Sequence, residues 1–152
     1  MRYILLIFSI LILLGACRVT RPASSSSIIE GIEVEVWASS DCVQPGETVK
    51  LRTTATNRGS RTFKVEFADK PVLDLVVKTS GKLTRWSNRK PFTPEMTGLE
   101  LKPGESKTIE MNWQVQSTDS LLVNADFAYD SRAGVAPSLL VQVQHCVGPL
   151  GP

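Results

Sequence analysis

His145 is the only histidine in the 152 residues. No serine, thiol or carboxylate stands at a spacing that would make it the base of a catalytic pair. No G-x-S-x-G elbow, H-E-x-x-H helix or phosphate-cradling Gly-rich loop occurs. Asn124, Asp126 and Asp130 could offer oxygens to a calcium ion, but their spacing fits no known cation loop, and they read as solvated strand ends. Catalytic residues, metal ligands, cofactors and a small-molecule substrate are therefore left unassigned, and no enzyme is expected. The chemistry that remains is recognition. Lys78, Lys82, Arg85, Arg89 and Lys90 lie in a stretch with no acid between Leu75 and Pro94, and Trp86 and Phe92 interleave with them. Arginine and aromatic side chains are the usual anchors of protein interfaces. Arg85, Trp86, Ser87, Asn88, Arg89, Lys90 and Phe92 thus form the candidate partner-binding segment. A solvated loop is the other reading of this segment. For Trp86 itself an inward-facing plug is preferred, because indoles are mostly buried.

The elements that must position this segment are strands. Apolar residues alternate with polar ones at Ile32–Val36, Val49–Ala55, Phe63–Phe67, Leu73–Val77, Ile109–Val115, Leu121–Tyr129 and Leu139–Val143, with weaker runs at Leu83–Trp86 and Leu99–Leu101. Side chains two apart share a strand face, so each run reads as a half-buried strand. Trp113 falls on the apolar face of its run and is expected in the core. Turn chemistry separates the runs: Gln44-Pro45-Gly46-Glu47, Asn57-Arg58-Gly59-Ser60, Thr79-Ser80-Gly81-Lys82 and Lys102-Pro103-Gly104-Glu105. Pro then Gly suits the centre of a type II turn. No sustained 3.6-residue stripe appears. The expectation is an all-β, antiparallel, immunoglobulin-like β-sandwich of seven to nine strands.

The amino terminus is a different kind of segment. Met1-Arg2 is followed by an apolar run from Tyr3 to Leu14, broken only by Ser9, and then by Gly15-Ala16-Cys17. This has the layout of a secretory signal. As a helix the run to Ala16 would be roughly 21 Å long, short of a hydrocarbon core of about 30 Å. Leu14-Gly15-Ala16-Cys17 resembles the bacterial lipobox, after which the cysteine thiol is acylated and becomes the first mature residue. The resemblance implies lipidation at Cys17 and a chain held at the bacterial cell membrane or outer membrane, facing the extracytoplasmic side. More than one acyl chain makes such anchoring stable.

The expected organisation is a signal peptide over 1–16, a lipidated cysteine with a flexible Ser-rich tether over 17–30, a β-sandwich over 31–147 and a tail over 148–152. The tether Arg18–Glu30 carries four successive serines and little apolar content. Loss of the signal removes Arg2 and leaves 16 basic and 15 acidic side chains, so no field argues for a nucleic-acid partner. Cys42 and Cys146 flank the domain. In an exported chain they are expected to form a disulfide, constraining the unfolded state by roughly 4.7 kcal/mol for a loop of about 100 residues.

The stretch from Pro45-Gly46-Glu47 and Thr56-Asn57-Arg58-Gly59 through Phe67, Leu73-Asp74-Leu75, Gly81, Arg85-Trp86-Ser87 and Phe92-Thr93 to Leu101-Lys102-Pro103-Gly104-Glu105 and Trp113 resembles the BsuPI-type domain. That family is named for an intracellular proteinase inhibitor of bacteria. The Trp-Ser…Phe-Thr portion is its specific part. The chain departs from the family at Ala68-Asp69-Lys70-Pro71, from Ser117 onward, and in carrying an export signal. The resemblance implies a sandwich fold and a protein partner, with a serine protease as the finer expectation. The alternative is an accessory adhesion or assembly domain of a cell-envelope complex with no inhibitory activity.

Overall fold

The computed structural model describes residues 21–116, 120–129 and 137–143, with only the backbone described over 138–143. The described residues form eleven strands: β1 (Ala23–Ile29), β2 (Ile32–Ala38), β3 (Cys42–Val43), β4 (Thr48–Asn57), β5 (Phe63–Glu66), β6 (Leu73–Thr79), β7 (Lys82–Arg85), β8 (Gly98–Leu101), β9 (Ser106–Gln114), β10 (Leu121–Phe127) and β11 (Ser138–Val143). One short helix, α1 (Pro94–Thr97), precedes β8. A four-stranded sheet runs β1-β2-β4-β9, a five-stranded sheet runs β3-β11-β10-β6-β7, and β5-β8 is a two-stranded ribbon. All pairs are antiparallel except β3 with β11. The chain is an antiparallel β-sandwich, as its alternation requires. Val34, Val36 and Leu51 on one sheet and Leu75, Val77, Val123 and Phe127 on the other belong to one buried core. Trp113 packs against that core from a half-buried position, with its indole nitrogen out of water and unbonded among the described residues.

The Ser-rich stretch departs from its expected coil. Over Ala23–Ile29 it pairs along its full length with β2, from Ala23 opposite Ala38 to Ile29 opposite Ile32. The sandwich therefore begins near Ala23 rather than Gly31, and the strand count exceeds nine because of β1 and the two-residue β3. Serine side chains bury little, but the strand does not rely on them. Glu30 and Gly31, at φ 51° and 80°, make the two-residue turn with positive φ at both positions that matches strand twist. Main-chain pairing to β2 then follows, and Ile29 packs against the core.

The two Pro-Gly-Glu turns share one construction. Gly46 and Gly104 take φ of 91° and 83°, which proline cannot take and glycine accepts without strain. In the first turn Glu47 N–H donates to Gln44 O at 3.1 Å, and the Glu47 carboxylate accepts from Gln44 N–H at 2.7 Å. The second repeats this with Glu105 and Lys102, at 2.9 and 2.8 Å. Each turn also holds the end of the neighbouring strand. Gly46 N–H reaches Val115 O beyond β9, and Gly104 N–H reaches Asn57 O at the end of β4. The β4–β9 ladder is thus clamped at both ends.

Asn57 closes the second clamp. It is buried, its amide nitrogen donates to Arg61 O at 2.8 Å and Leu101 O at 2.9 Å, and its amide oxygen accepts from Gly59 N–H at 2.9 Å. Alanine here would leave two carbonyls and an N–H without their partner. Asn57→Ala should cost about 1–3 kcal/mol of unfolding free energy, read as a lowered urea midpoint at unchanged slope. An unchanged midpoint would remove Asn57 from the account of the β4 end.

Candidate functional site

Strand β6 is buried on both faces over Leu73–Val77. Leu73, Leu75 and Val77 point into the sandwich, and Asp74 and Val76 point to the opposite side of the sheet. Asp74 therefore places a carboxylate, 1% exposed, where water does not reach. Such a charge is tolerated only with partners. Oδ1 accepts from Leu75 N–H at 2.9 Å and Ser87 N–H at 3.1 Å, and Oδ2 accepts from the Ser87 hydroxyl at 2.6 Å and, more distantly, Arg85 at 3.4 Å. The Arg85 guanidinium also meets Asp126, which stands beside Asp74 on β10, at 2.5 Å. Burial works against the charge on Arg85, but its bonds to Asp126 and Asp74 outweigh that, and its pKa lies above the ordinary arginine value.

This network fixes the segment after β7. Trp86 N–H donates to Leu75 O at 2.8 Å, and Ser87 is bound to Asp74. Two successive turns follow, with Asn88 N–H on Arg85 O and Lys90 N–H on Ser87 O, both at 3.1 Å. Arg89 lies in the left-handed region at φ 61°. Trp86 is half-buried against the core, in the orientation expected of a plug. The Lys90 ammonium covers its ring at 3.4 Å from the centroid, a cation–π contact. Burial lowers the Lys90 pKa, and attraction to Asp74 restores part of it.

The seven residues of the candidate segment thus divide. Ser87 is structural, Arg85 is committed to two carboxylates, and Trp86 and Lys90 are stacked together. Asn88, Arg89 and Phe92 are exposed, Phe92 to 50%. Six of the seven, all but Trp86, line one groove of about 560 Å³, closed on its other side by Asp69, Lys70 and Pro71 and by Asp126–Ala128. Trp86 instead borders an apolar recess of about 260 Å³ with Val72, Met96, Leu99 and Ile109. The sequence reading missed Asp74 and Asp126 as the groove's supports. Its signal for Asp74 was a lone acid inside an otherwise apolar strand. Among the described residues no cluster of three His, Cys, Asp or Glu could hold a metal. Cys17, Asp130, His145 and Cys146 lie outside the described residues.

A family model described as BsuPI, "Intracellular proteinase inhibitor", matches residues 36–128, more than half of the chain. The chain belongs to this family. The BsuPI match runs from within β2 to just past the end of β10 and includes both Pro-Gly-Glu turns, Asp74 and the whole groove segment. No curated protein matches the chain. Among solved structures, the CARDB domain of the PF1109 protein from Pyrococcus furiosus is 16% identical over 77% of this chain and 97% of its own, with a TM-score of 0.45. The sporulation control protein Spo0M from Bacillus subtilis is 14% identical over 77% of this chain and 51% of its own, with a TM-score of 0.48. A β-glucosidase from Listeria innocua is 16% identical over 74% of this chain and 16% of its own, with a TM-score of 0.43.

Asp74 and Arg89 should behave oppositely on substitution. Asp74→Ala strips Ser87 and Leu75 of their acceptor in a buried site and should cost about 3–5 kcal/mol. Arg89→Ala touches no ion pair among the described residues and should stay within about 0.5 kcal/mol of wild type. Urea denaturation measures both, and equal midpoints would contradict the assignment of Asp74 as the support of the loop.

Proposed function

We propose that the protein is a lipid-anchored, extracytoplasmic proteinase inhibitor that binds a serine protease with the end of the sandwich carrying residues 85–92. The observation that carries the reading is the Asp74–Ser87 anchor, which holds an exposed loop in one geometry on a buried strand of a BsuPI-family domain. An inhibitor needs this property, because a loop already held in its bound form avoids ordering costs on association. The full chain should therefore inhibit at least one serine protease in a panel spanning chymotrypsin-like and subtilisin-like enzymes. Inhibition of none would favour the accessory adhesion or assembly role.

Lipidation at Cys17 belongs to the same reading and rests on Leu14-Gly15-Ala16-Cys17 after a short apolar run. With β1 starting at Ala23, few residues separate Cys17 from the sandwich, so the domain would sit close to the bilayer surface. We infer also that Cys42 pairs with Cys146. Cys42 is buried, and Gln142, four residues before Cys146, stands opposite it in the β3–β11 ladder. One mass-spectrometric peptide map of protein isolated from membranes without reductant tests both. It should recover an acylated Cys17 peptide, absent in Cys17→Ala, and a linked Cys42–Cys146 pair. An unmodified amino terminus elsewhere, or Cys42 linked to another partner, would overturn the corresponding claim.

A further inference from the structure

We propose that Phe92 is the specificity residue that enters the substrate pocket of the target protease, and that the target is a serine protease preferring large aromatic side chains. The proposal rests on the inhibitor reading above and names its contact. A protease substrate lies in the cleft as an added strand, with its main chain extended and unpaired and one side chain in a pocket that sets preference. The segment must therefore be exposed, extended and free of its own main-chain hydrogen bonds, yet held at both ends.

The basic residues do not meet these conditions. Arg85 is a β7 residue tied to Asp74 and Asp126. Arg89 has a left-handed backbone inside a turn, which no extended strand contains. Lys90 has its ammonium on the Trp86 ring.

The pair Pro91–Phe92 does meet them, between Lys90, whose N–H closes the turn on Ser87, and Thr93, whose carbonyl accepts from the first turn of α1. Residues 90–93 carry no helix, strand or turn. Pro91 fixes its own φ near −65° and pushes Lys90 toward extended backbone. Thr93 is extended at φ −104°, ψ 159°. Among the described residues neither Pro91 nor Phe92 makes a main-chain hydrogen bond. Phe92 is one of three large apolar side chains exposed in the described chain, with Ile28 and Leu83, and of these it alone lies outside a strand.

Both flanks are fixed. On one side Ser87 is bound to the buried Asp74. On the other, Thr93 O accepts from Met96 N–H at 2.9 Å and Thr97 N–H at 3.0 Å. The Glu95 carboxyl lies below its usual range, held first by its own backbone N–H and then by the Thr93 side chain. Phe92 thus stands on a short bridge, extended at Thr93, between two anchored residues.

The test measures inhibition constants of the full-length wild type, Phe92→Ala and Phe92→Arg against subtilisin, chymotrypsin and trypsin, with melting temperatures as a folding control. The wild type should inhibit subtilisin or chymotrypsin in preference to trypsin. Phe92→Ala should weaken that inhibition at least about 30-fold at an unchanged melting temperature, as expected for a central anchor. Phe92→Arg should shift the preference to trypsin, whose pocket takes a cationic side chain. Wild-type inhibition that both variants retain unchanged would overturn the assignment of Phe92 while leaving the inhibitor reading intact. Weakening without a shift of preference would make Phe92 an ordinary contact and equally overturn it. A wild type that inhibits none of the three would overturn the proposed target class, and the wider serine-protease panel would then decide the inhibitor reading separately.

Discussion

A carboxylate placed on a strand that is buried on both faces dictates much of this molecule. Asp74 cannot be hydrated where it stands, so the chain must bring donors to it. Leu75 supplies one from the same strand, but the others come from beyond the β6–β7 hairpin. The connection after β7 must therefore fold back over the outer side of the sheet rather than leave it. Trp86 is carried inward by that return, and its main-chain bond to Leu75 O extends the ladder by one step. Arg85 adds positive charge near Asp74, but its stronger partner is Asp126 on the adjacent strand. The serine is thus the specific partner of Asp74 and the arginine a bridge between two acids. A serine hydroxyl and N–H directed at one carboxylate hold a loop more narrowly than a flexible ion pair does.

The fold was largely legible because alternation is a direct consequence of two-faced burial. Val34, Leu51, Val123 and Phe127 announce their strands from sequence alone, and the structure buries each of them. The Pro-Gly-Glu turns were equally legible, although the return bond from each glutamate to the residue three before it was not. Strand β1 was illegible for a physical reason. Its serines carry no hydrophobic pattern, and its order comes from the β2 main chain, which composition does not report. The two-residue β3 is too short to show any period.

The site was legible in position and misjudged in part of its chemistry. Sequence alone drew attention to the Arg85–Phe92 segment through its charge and its aromatics. It could not separate cations that face solvent from cations that are consumed internally, because their partners are distant in sequence. Asp126 lies 41 residues from Arg85. Asp74 looked like an ordinary break in an apolar run, and only the pairing of β10 with β6 reveals two aspartates side by side. Two adjacent carboxylates repel unless a cation sits between them, and Arg85 meets that need.

These internal partners change what the basic cluster means. Lys82 and Arg85 belong to β7, the edge strand of the five-stranded sheet, and Lys78 stands across the same hairpin opposite Leu83. Charged side chains on an exposed edge discourage pairing with another sheet, so these cations have a role that requires no partner. Lys90 shields one face of Trp86, which keeps a large indole covered at the mouth of the core. What the segment still offers to a second protein is then less a positive field than an apolar side chain on an extended backbone, with Arg89 beside it as the cation that no described carboxylate engages. Long-range charge would affect how quickly such a surface is found, whereas the fit of one side chain and the stiffness of its flanks decide how long it is held. The stiffness is what Asp74 supplies, so a residue that never meets solvent governs the geometry of the part that does.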